Sequence, residues 1–315
     1  MSPRLLLLLL AGLCLLLQPE SAAAAEPARL RVATYNLENY LVQDRYYEGV
    51  WRPDYPKPER EKQAVRRALR RIDADIVALQ EMGPGPFLRE LQRDLAAEGL
   101  PYPYAVLLRG APDRVRHLAV LSRVEPLEVL HHTDLDFKYL DDAEGNERRL
   151  RVKRGLLEVV FPVPGGQGDT WSLFVLHLKS RWSEEPDDPE AEMRRTREAR
   201  AARNRILERY PEGRGLYLIA GDLNASPDEA PLRRLRQRGG VTISVPVPAH
   251  DTRRETWTHY YGKKAVYRRV DYFLASPELA DRIPTGRARI FDALFAREAS
   301  DHRPLFLELV FPEDP

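Results

Sequence analysis

The sequence predicts a four-layer α/β sandwich, two packed mixed β-sheets flanked by helices. Three observations carry that prediction. Short apolar runs, such as Tyr217-Leu218-Ile219-Ala220 and Val270-Asp271-Tyr272-Phe273-Leu274-Ala275, have the length and composition of strands buried on both faces. Arginine-rich segments with apolar residues at helical spacing separate such runs. The two halves of the chain also share an order: strand, polar residue, helix, strand, polar residue, helix, then further strands. There is no repeat at the level of identity. With 315 residues, 43% hydrophobic and 31% charged, the chain can bury a large core, and no Pro/Gly/Ser-rich linker divides it.

The first segment stands outside that fold. Arg4 precedes an apolar run over residues 5–17, and Ala23-Ala24-Ala25 supplies the small residues of a signal-peptidase site. The expectation is a signal peptide over residues 1–25 and one domain over 26–315. The run is short for a membrane span and lacks a basic stop-transfer flank, so the mature protein is expected to be secreted, extracellular or periplasmic, without stable membrane association. The one cysteine, Cys14, lies in this leader. Stability of the mature chain then rests on its core rather than on disulfides. Net charge is +1, and removing Arg4 and Glu20 leaves it unchanged. A near-neutral chain has no global attraction for a polyanion, which leaves local arginine clusters to supply one.

In chain order, residues 29–35 alternate into a strand that ends at Asn36. Residues 40–58, with Tyr46, Tyr47, Trp51, Pro53, Tyr55 and Pro56, read as a long ordered loop, functional or lid-like. Residues 59–72 carry Val65, Ala68, Leu69 and Ile72 at helical spacing, with Arg66, Arg67, Arg70 and Arg71 on a solvated face. A buried strand over 75–80 ends at Glu81, a helix covers 87–97, and strands follow over 104–108, 118–121 and 127–130. Residues 141–146 form a turn. A strand over 151–161 carries Arg154, which alternation places opposite Arg151. The glycine-rich segment 165–168 turns the chain into a strand that reaches His177. Residues 188–210 read as a long helix that buries Ala199, Ala202, Ile206 and Leu207. After the strand that ends at Asp222 come a helix over 227–236 and strands near 257–259, over 270–275 and over 303–311.

The chemistry gathers at strand ends. Asn36, Glu81, His177 and Asp222 each close an apolar run, while Asp271 and the Ser300-Asp301-His302 group stand at or before the start of one. In a mixed sheet the end of one strand lies beside the start of an antiparallel neighbour, so all six can meet on one rim. Gly221 lets the backbone bend before Asp222. If that end is extended, Asp222 and Asn224 face one site, a pairing that suits phosphate esters. The carboxylate can take a proton from water, and the amide can touch phosphate without adding negative charge. Each residue alone also suits a turn or cap. His131-His132 and His250-Asp251 have no second ligand pair at metal spacing and read as surface loops. His117 keeps an open role, and Lys179 and Arg181 suit either substrate contact or solvent.

Taken together, Thr34-Tyr35-Asn36-Leu37-Glu38-Asn39, Leu79-Gln80-Glu81, His177-Leu178-Lys179-Ser180, Gly221-Asp222-Leu223-Asn224, Arg269-Val270-Asp271-Tyr272 and Ser300-Asp301-His302 resemble, in this order, the endonuclease/exonuclease/phosphatase superfamily with its deoxyribonuclease-I-like fold. The likeness covers nearly the whole mature chain and implies a secreted bacterial member. It implies metal binding by Glu81, with Asn36 beside it and Asp301 in the metal shell or at a second site, and hard oxygen ligands suit Mg²⁺ or Mn²⁺. It implies that Asp222 orients and deprotonates the attacking water, Asn224 holds a phosphate oxygen, and Asp271 fixes a charged His302 against the phosphate. His177 would contact phosphate or protonate the leaving oxygen, and Arg154 resembles a substrate-binding arginine of the nuclease branch.

The expected protein is therefore a monomeric, metal-dependent phosphodiester hydrolase, a nuclease first of all. For a polyanionic substrate, the arginines of 148–154 and Arg194, Arg195 and Arg197 are the candidate contacts. A phosphatase or phosphodiesterase for a small or lipid-linked phosphate ester is the alternative. No long exposed apolar hairpin is expected, which argues against a membrane-acting lipid hydrolase. An inactive binding module would be signalled by loss of Glu81, Asp222 or His302, and all three are present.

Overall fold

Alternation along single strands decides the layering. Val32 faces the space between two sheets while Ala33 faces the other way, and Leu218 and Ile219 divide in the same manner. The computed structural model describes residues 27–141 and 145–312. The expected leader, residues 1–25, lies outside the described residues, as does the centre of the expected 141–146 turn.

The first half runs β1 (Ala28–Tyr40), β2 (Val42–Tyr47), β3 (Val50–Pro56), α1 (Glu59–Ile72), β4 (Ile76–Met82), α2 (Gly85–Ala97), β5 (Tyr104–Leu107) and β6 (His117–Ser122). Helix α1 has Glu59 and Glu61 in its first turn and Arg70 and Arg71 in its last, which suits the helix dipole. It stops at Asp73, left-handed at φ 51°, whose N–H bonds the Leu69 carbonyl at 2.8 Å. Next come β7 (Glu128–His132), β8 (Asp136–Asp141), β9 (Glu147–Arg151), β10 (Leu156–Pro162), β11 (Thr170–His177), α3 (Glu192–Arg209), β12 (Tyr217–Asp222) and α4 (Ala230–Arg236). Four short strands, β13 (Gln237–Arg238), β14 (Val241–Thr242), β15 (Val245–Pro246) and β16 (Ala249–His250), lead to β17 (His259–Tyr261) and β18 (Val266–Arg268). The chain closes with β19 (Asp271–Ala275), α5 (Pro277–Ala280), β20 (Ala288–Ile290), α6 (Ala296–Ala299) and β21 (Leu305–Phe311).

Seven strands form one sheet in the order β16-β20-β21-β1-β4-β6-β5, and six form the other in the order β15-β19-β12-β11-β10-β7. Each sheet is built around a parallel pair, β1 with β4 and β11 with β12, flanked by antiparallel strands. Between the sheets lie Val32, Ile76, Val120, Trp171, Leu173, Leu218 and Phe273. Outside, α1 and α2 cover the first sheet through Val65, Leu69, Leu88 and Leu91, and α3 covers the second through Ala199, Ala202 and Ile206. The four-layer expectation holds, and the likeness between the halves is visible as these two parallel pairs.

Several local expectations change. Residues 42–56 are not a loop but a β-hairpin that exposes Val42, Tyr46, Val50 and Trp51, so an exposed apolar hairpin does exist. Arg154 is not in a strand, because the chain turns between β9 and β10 and Gly155 takes φ 67°. Helix α3 begins at Glu192 rather than 188, with Asp188 accepting the N–H groups of Met193 and Arg194 at 3.0 Å. Helix α4 covers only Ala230–Arg236. His132 is buried against Glu158 at 2.8 Å, and buried Asp251 pairs with Arg303 at 2.7 Å, so neither belongs to a free surface loop.

Candidate active site

The rim forms where the two parallel pairs end. His177 closes β11 directly beside Asp222 on β12, and Asp222 faces Asp271, the first residue of β19. Gly221 makes this approach possible: at φ 143°, a Cβ there would lie 1.9 Å from the Leu176 carbonyl oxygen. From the other sheet, Asn36 near the end of β1 donates from Nδ2 to Asp222 Oδ2 at 3.0 Å. Asp301 and His302, just before β21, complete the group.

Asp222 is the common neighbour. Its Oδ2 lies 3.3 Å from His177 Nε2 and 3.8 Å from His302 Nε2. Its Oδ1 accepts the Asn224 N–H at 2.8 Å, and the Asn224 side-chain amide donates to Oδ2 at 3.3 Å. Asn224 is left-handed at φ 48°, so the end is not extended and the pair converges through a local turn. Glu38, Asn39 and Glu81 are also left-handed, at φ 47°, 58° and 59°. Such a backbone costs about 1–3 kcal/mol at each residue without β-carbon freedom, and it clusters where surrounding structure holds a functional geometry.

The two central histidines are driven apart. Burial holds His177 well below the ordinary imidazole range, with Arg154 and His302 adding repulsion. Burial opposes charge on His302 too, but Asp271 at 2.8 Å from Nδ1 and nearby Asp222 hold it protonated well above that range. Near neutral pH the site thus has one charged and one neutral imidazole. Burial pushes the Asp222 carboxyl up to about 6, with His302 pulling it down and Asp271 pushing it up.

Glu81 stands 4.0 Å from His177 Nε2 and accepts the Asn39 N–H at 2.9 Å. Sequence reasoning missed two neighbours. Glu38 accepts the Asp301 N–H at 2.9 Å, and burial together with Asp301 pushes its carboxyl up to about 7. His259 lies 3.3 Å from Asp301 Oδ2, its ring 4.5 Å from that of His302. Glu38 sits two residues past Asn36 within the quoted motif, which was the available signal. His259 had none.

A cation fits the chemistry of this donor set. Among the described residues the tightest ligand-type groupings are His259–Asp301–His302 and Asp222–Asp271–His302. Asp301 belongs to the first of these and faces the cleft together with Glu38 and Glu81. Of the cleft carboxylates, Glu38 and Glu81 have no Lys or Arg ion pair among the described residues, and burial together with Asp301 pushes Glu38 up to about 7. That is a deficit of positive charge met by oxygen donors, which suits a hard divalent ion.

Glu38, Glu81, His177, Asp222, Asp301 and His302 line a cleft of about 600 Å³ whose lining also includes Arg181, Trp182, Tyr261, Lys264 and Arg268. Arg154 does not line it. That guanidinium is buried, donates to the Leu178 carbonyl at 3.0 Å and lies 3.5 Å from Asp113. Lys179 is likewise buried, bonded to Ser180 and the Trp182 carbonyl. The arginine clusters expected to hold a polyanion are largely occupied. Arg148 pairs with Glu185, Arg149 with Asp136, Arg194 with Glu198, and Arg195 and Arg197 donate to backbone carbonyls.

The family model described as the endonuclease/exonuclease/phosphatase family matches residues 33–302, a span holding every rim residue named above. The chain belongs to this family. Members of the family are generally phosphoric ester hydrolases and typically use divalent metals. Similar solved structures include sphingomyelinase C from Streptomyces griseocarneus, 18% identical, covering 90% of this chain and 99% of that one at TM-score 0.60. The human nocturnin catalytic domain with bound sulfate is 15% identical, covering 91% and 96% at TM-score 0.59. Beta toxin from Staphylococcus aureus with bound magnesium ions is 13% identical, covering 89% and 99% at TM-score 0.58. At these identities the structures share the fold with this family member, and no curated protein sequence matches the chain.

Proposed function

We propose that this family member is a secreted phosphodiester hydrolase that cleaves nucleic acid with the help of a divalent cation. The observation that carries the reaction is Asp222, buried between a neutral and a charged imidazole at the floor of an open cleft. Asp222 is the general base: its carboxylate takes a proton from the attacking water, and Asn36 and Asn224 hold it in place. His302, kept charged by Asp271, donates a hydrogen bond to the phosphate oxygens as negative charge grows there. His177, with Nε2 3.3 Å from Asp222 Oδ2, is the weaker candidate for general acid, because burial disfavours its charged form. Asn224 also faces a phosphate oxygen. Arg154 acts as a positioning group behind His177 and Leu178.

Glu81 and Asp301, with Asn36 and Glu38 nearby, would hold Mg²⁺ or Mn²⁺. Such an ion, when bound, supplies charge neutralisation of the phosphate and Lewis-acid stabilisation of the transition state. For the nucleic-acid reading, the support is the cleft lining: Trp182 and Tyr261 offer exposed rings, and Lys264 and Arg268 line the same cleft.

The exposed apolar hairpin β2–β3 supports a second reading, a lipid-linked phosphodiester presented at an interface. A panel with Mg²⁺ separates the readings: an oligonucleotide, plasmid DNA, RNA, a choline phospholipid in vesicles, and bis-p-nitrophenyl phosphate. Cleavage of nucleic acid above the model diester supports the first reading. Cleavage of the vesicle lipid alone moves the assignment to the second.

A further inference from the structure

We propose that the hairpin β17–β18 builds a second phosphate-binding position beside the cleft, so that the substrate carries a phosphate next to the one cleaved. The inference rests on the nuclease reading and adds to it a residue-level basis for preferring chains over single diesters. The hairpin pairs His259 with Arg268 and Tyr261 with Val266 around a single turn at Gly262–Lys264. It is tied to the reacting end of the molecule. The Tyr260 N–H bonds the Asp301 carbonyl at 3.0 Å, and His259 bridges to His302.

Two cavities meet at this hairpin. The cleft lies on one side, and a second cavity of about 490 Å³ lies on the other, with Glu38, Tyr261 and Asp301 common to both. Their seam is acidic, but their outer walls are not. Lys264 and Arg268 face the cleft, while Lys263 and Arg297 face the second cavity. Among the described residues, none of these four side chains has a carboxylate partner or a hydrogen bond, and Arg297 meets only the Trp257 ring at 5.9 Å. This sets them apart from the arginines of 148–149 and 194–197, whose charge is already taken.

The second cavity is also lined by the aromatic side chains of Trp257, Tyr260 and Tyr261. Tyr267, outside the lining, packs on Tyr260 at 4.6 Å and on Trp257 at 4.8 Å and so holds two of these rings in place. A single diester fills only the cleft. A chain with a neighbouring phosphate can reach past Asp301 to Lys263 and Arg297, where a negative group meets two unpaired cations beside ring faces.

The test uses the full mature chain with Mg²⁺ and the double variant Lys263→Ala/Arg297→Ala. Steady-state constants are compared for a single-stranded oligonucleotide and for a dinucleoside monophosphate, which has the same bond and no second phosphate. The expected result for the oligonucleotide is a KM about tenfold higher with kcat within twofold, and a shallower salt dependence, by roughly 0.7 per lost phosphate contact. The dinucleoside monophosphate is expected to change by less than twofold. Restoring the charges as Lys263→Arg/Arg297→Lys should return the oligonucleotide KM. An unchanged oligonucleotide KM overturns the second position while leaving the nuclease reading intact. An equal loss on both substrates overturns it as well, since the variant would then act through the fold. If the wild type hydrolyses bis-p-nitrophenyl phosphate but no oligonucleotide, the nuclease reading falls and the second position with it.

Discussion

Two charged regions of this molecule look alike in sequence and differ in what their charges do. The strand-end rim brings Asp222, Asp271, Asp301, Glu38 and Glu81 together with two imidazoles, and its groups shift one another's protonation. The arginine-rich segments at 148–154 and 194–197 carry more charges per residue, yet most of them are matched with acids and carbonyls. The difference is topological. Two packed sheets deliver residues from six strand ends to one spot, where desolvation makes every charge count. Of the arginines, Arg148 and Arg149 lie on a partly exposed hairpin, where pairing is cheap and screening is strong, while buried Arg154 and Arg195 are held by Asp113 and backbone carbonyls. Charge density along a sequence therefore says little about a field, and position at the end of a buried strand says much.

The largest effect that sharpens this comparison is metal removal. Exhaustive chelation with EDTA is expected to abolish hydrolysis, and Mg²⁺ or Mn²⁺ to restore it, as followed with bis-p-nitrophenyl phosphate. Full activity after chelation would leave the acidic side of the rim without a role.

Asp271→Asn comes next. It keeps the shape around His302 and removes the charge that holds the ring protonated. The expected loss in turnover is about tenfold to a hundredfold, short of the roughly 10²–10³ that losing an oxyanion donor outright brings. Proton NMR should find the wild-type His302 ring charged through the pH range where a free imidazole loses its proton, and the variant ring titrating lower. The sign for stability follows: with the folded pKa raised, the His302–Asp271 contribution is full below the unfolded imidazole value and is lost as pH rises through the folded one. The alkaline limb of the thermal-stability profile should therefore flatten in Asp271→Asn.

The smallest effects belong to the arginine clusters. Arg148→Ala and Arg149→Ala break a partly exposed and an exposed ion pair and should barely shift thermal or urea unfolding. Their KM for an oligonucleotide should stay within twofold of wild type. A tenfold rise there would return those arginines to the substrate and erase the contrast.

The rim was legible because strand ends are legible: an apolar run that stops at Asn36, Glu81, His177 or Asp222 marks both the element and its terminus. The β2–β3 hairpin was not, since Pro53 and Pro56 break the strand pattern. In a two-stranded sheet both strands are edges, so those prolines remove no required donor. Glu38 and His259 escaped notice because their importance comes from Asp301, more than 250 and 40 residues away respectively. The fate of the arginines was hidden for the same reason: Arg148 meets Glu185 and Arg154 meets Asp113 across distances that no local pattern reports. Whether the chain after Asp222 is extended or turns was open in the sequence, because a left-handed asparagine after Gly-Asp-Leu leaves no distinctive spacing.

The central claim is that Asp222, held between Asn36, His177 and His302, is the group that takes the proton from water. The most direct measurement is the turnover of bis-p-nitrophenyl phosphate by Asp222→Asn with saturating Mg²⁺, alongside a thermal melt of the same preparation. The amide keeps the shape and most of the hydrogen bonds but has no basic oxygen. The account predicts a fall in kcat of about two to four orders of magnitude with the cooperative melt retained. A variant that melts cooperatively and turns over within a few-fold of wild type would contradict it, and another group on the rim would then have to activate the water.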